Sequence, residues 1–163
     1  MSGLSSSRKT FRFSRRTLRG PSKVFQGTSL LKLDVKGRLS MPSRHRETLA
    51  ENEEAGLVFT RHPDGCLLLY PESVWSRKRD ELARLPFSAR ALQRLVLGSA
   101  ESVAFDKAGR LLVPTSLREL AGLDRDVVLL GLGEHFELWD RARWQKAEED
   151  AATAGACAAD FVF

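Results

Sequence analysis

The residues best suited to chemistry in this chain are pairs of opposite charge set around a glycine. Asp34-Val35-Lys36-Gly37-Arg38 places a carboxylate four residues before a guanidinium, and Asp106-Lys107-Ala108-Gly109-Arg110 does the same. Glycine takes positive φ at no steric cost, so each stretch predicts a tight hairpin turn with Asp and Arg at its base. Two readings fit such a turn. In one the aspartate accepts backbone hydrogen bonds and the arginine pairs across the turn, a purely structural brace. In the other the turn is the tip of a protruding two-stranded ribbon that fits the DNA major groove, where Arg and Lys reach phosphates and guanine edges. Local charge favours the second reading for the first turn. Residues 24–50 hold Lys32, Lys36, Arg38, Arg44 and Arg46 against Asp34 and Glu47, whereas residues 105–122 hold Lys107, Arg110 and Arg118 against Asp106 and Glu119.

Other chemistry finds little support. His45, His62 and His135 have no partner at metal-ligand spacing, and Cys66 and Cys157 lie far apart, with neither in such a spacing. Gly131-Leu132-Gly133 lacks the third glycine and the following helix of a phosphate loop, and reads as a hairpin turn. There is no nucleophile elbow and no paired-carboxylate constellation. The expectation is a non-enzymatic protein with no cofactor, no metal and no small-molecule substrate.

The elements around the two turns are themselves duplicated. Residues 33–47 align with residues 105–119 at seven identical positions of fifteen, where ordinary usage gives about one. After a three-residue slip, Leu68-Leu69-Tyr70 aligns with Glu137-Leu138-Trp139 and Trp75 with Trp144. Each copy predicts a short strand, the Asp–Arg turn, a second strand, a helix opened by Pro42 or Pro114, and a further hairpin. The second-copy helix is expected to stop at Gly122. The later hairpins have arms at 57–60 and 66–70, turning at Pro63-Asp64-Gly65, and at 127–130 and 135–139. Between the copies, Val74, Trp75, Lys78, Leu82 and Leu85 line one face of a helix after Pro71, Pro86 breaks it, and residues 89–97 form another. A module of about 50 residues buries too little surface to be very stable alone. The two half-cores are therefore expected to interlock in one pseudo-symmetric unit.

The chain has 163 residues, 42% hydrophobic and 29% charged, enough for a core and a soluble surface. No apolar run approaches the roughly 20 residues of a membrane span, and no apolar leader opens the chain, so a cytoplasmic location is expected. The formal charge of +5 misleads: residues 1–23 carry seven basic residues and no acid, which leaves −2 for residues 24–163. Those first residues are Ser- and Arg-rich and are expected to be disordered.

The doubled signature resembles the MraZ family of bacterial transcription regulators, whose repeats are AbrB-like (SpoVT-AbrB) modules. Phe25-Gln26-Gly27 resembles the family's opening, 33–42 its first signature, and 106–114 with Phe136-Glu137-Leu138-Trp139-Asp140 its second. The resemblance implies an α+β fold, mainly β with helices: tandem swapped-hairpin modules forming an intrachain pseudo-dimeric barrel. The segments expected are a basic extension at 1–23, module 1 at 28–75, a helical linker at 76–101, module 2 at 102–146 and a tail at 147–163. It also implies nucleoid association, ring-shaped homo-oligomers and binding to double-stranded DNA at short repeated boxes upstream of a cell-division and cell-wall gene cluster. Asp34 and Arg38 would carry the family's DNA-binding signature, helped by Lys32, Lys36, Gly37 and Arg44. Asp106, Lys107, Gly109 and Arg110 would form the second-repeat motif. Because the resemblance begins at Val24–Phe25, Val24 is the expected natural start, encoded by GUG. An AbrB-like antitoxin and an oligomeric scaffold stay open as alternatives. The duplication argues against the first, since antitoxins usually carry one module and a toxin-wrapping tail.

Overall fold

A run of short strands alternating with helices accounts for the order of elements. The computed structural model describes residues 24–155; the expected basic extension, and the end of the expected tail, lie outside the described residues. The first copy runs β1 (Phe25–Lys32), β2 (Arg38–Ser40), α1 (Ser43–Glu51), β3 (Gly56–Arg61), β4 (Leu67–Pro71) and α2 (Glu72–Ala83). A single 3₁₀ turn (Phe87–Ala89) and α3 (Arg90–Val96) follow. The second copy repeats the order with β5 (Glu101–Ala104), β6 (Arg110–Leu112), α4 (Thr115–Leu120), β7 (Asp126–Gly133), β8 (Phe136–Asp140) and α5 (Arg141–Ala154).

The strands form a mixed α+β architecture with antiparallel pairing throughout. One six-stranded sheet has the order β1-β7-β8-β4-β3-β5, and β2 pairs with β6 in a separate two-stranded ribbon. The copies exchange strands. β1 lies along β7 of the second copy, from Phe25 opposite Gly133 to Lys32 opposite Asp126. β5 lies along β3 of the first copy, from Gly56 opposite Ala104 to Phe59 opposite Glu101. In the ribbon Arg38 stands opposite Leu112 and Ser40 opposite Arg110.

Strand periodicity sorts the core. Leu57, Phe59, Leu67, Leu69, Val127, Leu129, Phe136 and Leu138 face one way, into a cluster completed by Leu39 and Leu111 of the ribbon and by Leu49 and Leu117 of α1 and α4. The alternate residues face outward and are covered in two patches. Val58 packs with Trp75, Val96, Tyr70 and Leu82 under α2 and α3. Cys66, Val128, Leu130 and Trp139 pack under Trp144 and Ala147 of α5. Thr60 is buried, and its hydroxyl donates to the Val96 carbonyl at 2.5 Å, tying β3 to α3.

Three expectations need adjusting. The expected barrel is not closed: β1 and β5 are the two free edges of an open sheet, because after each of them the chain turns away into the β2–β6 ribbon. The Asp–Arg turns do not close hairpins, since the strands on either side pair with the other copy and not with each other. Gly131 and Gly133 belong to β7, and the reversal falls between Leu132 and His135, whose carbonyl accepts the Leu132 N–H at 2.9 Å. β1 is eight residues long and draws β7 out to match it. The helices fall as expected: α2 follows Pro71 and ends before Pro86, and α4 stops against Gly122, which takes φ +59°.

Candidate nucleic-acid interface

The first turn is organised by one carboxylate. Asp34 Oδ1 accepts the backbone N–H groups of Lys36 at 3.0 Å and Arg38 at 2.9 Å, and Oδ2 accepts Arg38 Nε at 2.5 Å. The Gly37 N–H donates to the Asp34 carbonyl at 2.9 Å, the Asp34 N–H donates to the Arg38 carbonyl at 3.1 Å, and Gly37 takes φ +83°. This is a tight turn closed by a left-handed glycine; the positive φ is as the sequence predicts, although the flanking strands form no hairpin. The second turn copies it: Asp106 Oδ1 accepts from Ala108 N at 2.9 Å and Arg110 N at 3.0 Å, Oδ2 accepts Arg110 Nε at 2.8 Å, and Gly109 takes φ +72°.

Both carboxyls are held below the usual carboxylate range, first by the backbone N–H of the paired arginine, against some desolvation, and then by its side chain and the N–H two residues on. Both aspartates are therefore anionic at neutral pH. Each pairs through Oδ2 with the Nε of its arginine, and among the described residues no protein group takes the terminal Nη groups of Arg38 or Arg110. A guanidinium anchored at Nε with both ends free is a fork that can meet a planar acceptor pair, such as guanine O6 and N7.

The β2–β6 ribbon sets the two turns on either side of one short strand pair, with Arg38 and Arg110 at its opposite ends. Lys36 is exposed at the tip of the first turn, and Lys107 is exposed at the tip of the second. The other candidates sit apart from the tips. Lys32 pairs with Asp126 at 3.8 Å at the end of the β1–β7 ladder. Arg44 folds back over β1, with Nη2 donating to Ser29 Oγ at 2.9 Å.

Sequence reasoning missed two groups here. Val35 is fully exposed beside Lys36, and an apolar side chain there can touch a thymine methyl. It has no counterpart in the second copy, where Lys107 holds the position, so no repeat signal marks it. Arg118 and Arg125 of the second copy, with Leu33, Asp34, Val35, Leu123 and Asp124, line a cleft of about 600 Å³ beside the first turn. Only the exchange of strands brings them there.

Among the described residues, Cys66 and His45 are buried. Burial pushes the Cys66 thiol well up, aided by the Glu137 and Asp64 carboxylates, so no reactive thiolate forms. His45 is buried between Phe25 and Phe136, at ring-centroid distances of 6.0 and 4.9 Å. Among the described residues no group of three or more His, Cys, Asp or Glu could hold a metal ion, and no helix is long and apolar enough to cross a membrane.

Fold and site together define a duplicated α+β module with strands exchanged between copies and twin Asp–Arg turns on a shared ribbon. A family profile described as "MraZ protein, putative antitoxin-like" matches residues 24–97 and again 96–160. The chain belongs to the MraZ family. It is 53% identical over 132 residues to a protein of Herminiimonas arsenicoxydans named transcriptional regulator MraZ, covering 81% of this chain and 93% of that one. Proteins of the same name from Bordetella pertussis and Ralstonia pickettii are 52% and 50% identical over the same shares.

Proposed function

We propose that this chain is a sequence-specific transcription regulator that binds double-stranded DNA without catalysis or cofactor. The observation that carries the reading is Arg38, fixed through Nε by an ionised aspartate and free at both Nη groups on a basic turn. Arg38 takes a guanine edge and Lys36 a neighbouring phosphate. The second turn keeps the Asp–Arg pair with less positive charge around it and contributes less. The exchange of β1 and β5 supports treating modules 28–75 and 102–146 as an intrachain pseudo-dimer, with the helices of 76–101 between them.

One bidentate Arg–guanine contact supplies only about 1–3 kcal/mol of discrimination. That is too little to choose a site in a genome. The two faces of the pseudo-dimer are similar but unequal, and head-to-tail contact between unlike faces closes into a ring. A ring presents several copies of the turn to short repeated boxes, and avidity raises affinity by about 10²–10⁴. The names of the relatives support a regulatory role. We place that role at short repeated boxes upstream of a cell-division and cell-wall gene cluster, in the cytoplasm and on the nucleoid.

A mobility-shift titration on the DNA upstream of the chain's own coding sequence tests this. Arg38→Ala should abolish specific binding with assembly size unchanged by light scattering, and Arg110→Ala should weaken it less. Equal losses from both variants in intact assemblies refute the asymmetry. No preference for that DNA over a scrambled duplex leaves the scaffold reading in its place.

A further inference from the structure

The first turn, closed by its own Asp34, is also braced by the second copy. The Leu33 N–H, where the turn begins, donates to the Arg125 carbonyl at 2.8 Å, and the Gly37 carbonyl accepts the Val113 N–H at 3.0 Å. The guanidinium of Arg118 lies against the Cα face of Gly37, so close that a methyl group there would stand 2.7 Å from Arg118 Cζ. The mirror contacts exist: Met41 N–H donates to the Gly109 carbonyl at 3.4 Å, and Arg46 lies on Gly109. Arg46 and Arg118 occupy the same repeat position. They are not held alike. Arg46 is exposed and its Nε donates to the Met41 carbonyl at 3.1 Å. Arg118 is half-buried, with no side-chain hydrogen bond or ion pair among the described residues.

A flat guanidinium seated on a glycine restricts that glycine without bonding to it. Gly37 is the residue before Arg38, so the tilt of the peptide joining them sets where the Arg38 fork points. We infer that Arg118 of the second copy is a positioning residue for DNA reading by the first-copy turn, holding the Gly37–Arg38 peptide so that Arg38 meets base edges squarely. The inference rests on the proposed reading of that turn. It makes the reading surface composite, so that neither module completes it alone.

The test uses the full chain, on the DNA upstream of its coding sequence and on a scrambled duplex. Arg118→Ala should lower the ratio of specific to non-specific affinity on the order of tenfold, inside the roughly 5–150-fold that one bidentate contact supplies. Affinity for the scrambled duplex, its salt dependence, the assembly size and Tm should stay as they are. Arg118→Lys keeps the charge but loses the plane, and should show the same loss. It carries the test if the alanine variant melts early. An unchanged ratio overturns the inference. So does an equal loss on both duplexes with the slope of log K against log salt falling by about 0.9 per contact and lysine restoring it, since Arg118 would then be a phosphate ligand. Arg38→Ala run beside these separates the two levels. If it loses specificity while Arg118→Ala keeps it, only the positioning role fails; if it keeps specificity, the reading of the turn fails with it.

Discussion

Two glycines with nearly the same backbone separate the strain of a turn from the seat of an arginine. Gly37 has φ +83° and Gly133 has φ +81°, yet a methyl group on Gly37 would collide with Arg118 while one on Gly133 would meet nothing within 4 Å. Alanine at either position carries the left-handed penalty of about 1–2 kcal/mol, partly offset by about 0.4–1 kcal/mol from a less flexible unfolded chain. Gly133→Ala should therefore cost about 1 kcal/mol, a Tm drop of about 2–4 °C for a chain of this size. Gly37→Ala must also evict the Arg118 guanidinium, and contacting residues couple by about 0.5–3 kcal/mol. Its total should be about 2–3 kcal/mol, a drop of about 5–10 °C. Thermal or urea unfolding of both variants, of Arg118→Ala and of the Gly37→Ala/Arg118→Ala pair closes the cycle. With Arg118 removed, Gly37→Ala should shrink toward the Gly133 value. Equal losses at the two glycines, or strict additivity in the pair, would refute the seating of Arg118.

His45 is buried in its neutral form, its pKa held below the ordinary 6.5 first by desolvation and then by the adjacent Arg44 cation. The unfolded chain therefore binds the proton first. The stability His45 contributes is complete above about pH 6.5 and is lost as pH falls toward its folded pKa. His135 shifts the same way, mainly by burial, and adds to the same acid limb. His45→Leu, the residue its repeat partner Leu117 already is, should flatten the Tm profile between pH 7 and pH 5 without abolishing its slope; a profile parallel to the parent's would refute the buried neutral imidazole. Thr60→Val removes the hydroxyl that donates to Val96 and leaves that carbonyl unmet in the core, for a loss of about 1–3 kcal/mol in urea unfolding, and a neutral result would mean that water or a shifted Ser99 replaces the bond.

Legibility divides along the range of the forces involved. The turn at 34–38 could be read because its cause is local: glycine alone takes φ +83° cheaply, and an aspartate three residues earlier caps the turn's own N–H groups. The stop of α4 at Gly122 was legible for the same reason. Its repeat counterpart was not. α1 ends in the same paired hydrogen bonds, Glu53 N–H to the Ala50 carbonyl and Glu54 N–H to the Leu49 carbonyl, but the left-handed residue is Glu53, at φ +60°, which carries no sequence signal. The partners of β1 were illegible in principle, because nothing local in Phe25–Lys32 specifies which free edge it joins.

Pairing across copies also explains the misplaced glycines. Gly131 reads as a turn residue, yet it sits in β7 because a Cβ there would stand 2.6 Å from the Gln26 backbone nitrogen of β1. Its cause is a strand more than a hundred residues away in sequence. Separation along the chain hid Arg118 as well: on its own helix it is an ordinary cation, and only the exchange of β1 and β5, with the shared β2–β6 ribbon, sets it on the glycine of the other copy. Duplication inside one chain lets the two copies diverge while this exchange persists. Eight residues of β1 are held by the second copy and only four of β5 by the first, so the more basic turn hangs from the longer ladder. On the proposed reading, a turn that presents a fork at a fixed angle gains from the longer of the two ladders, and that asymmetry is available because the two copies lie in one chain and need not be identical.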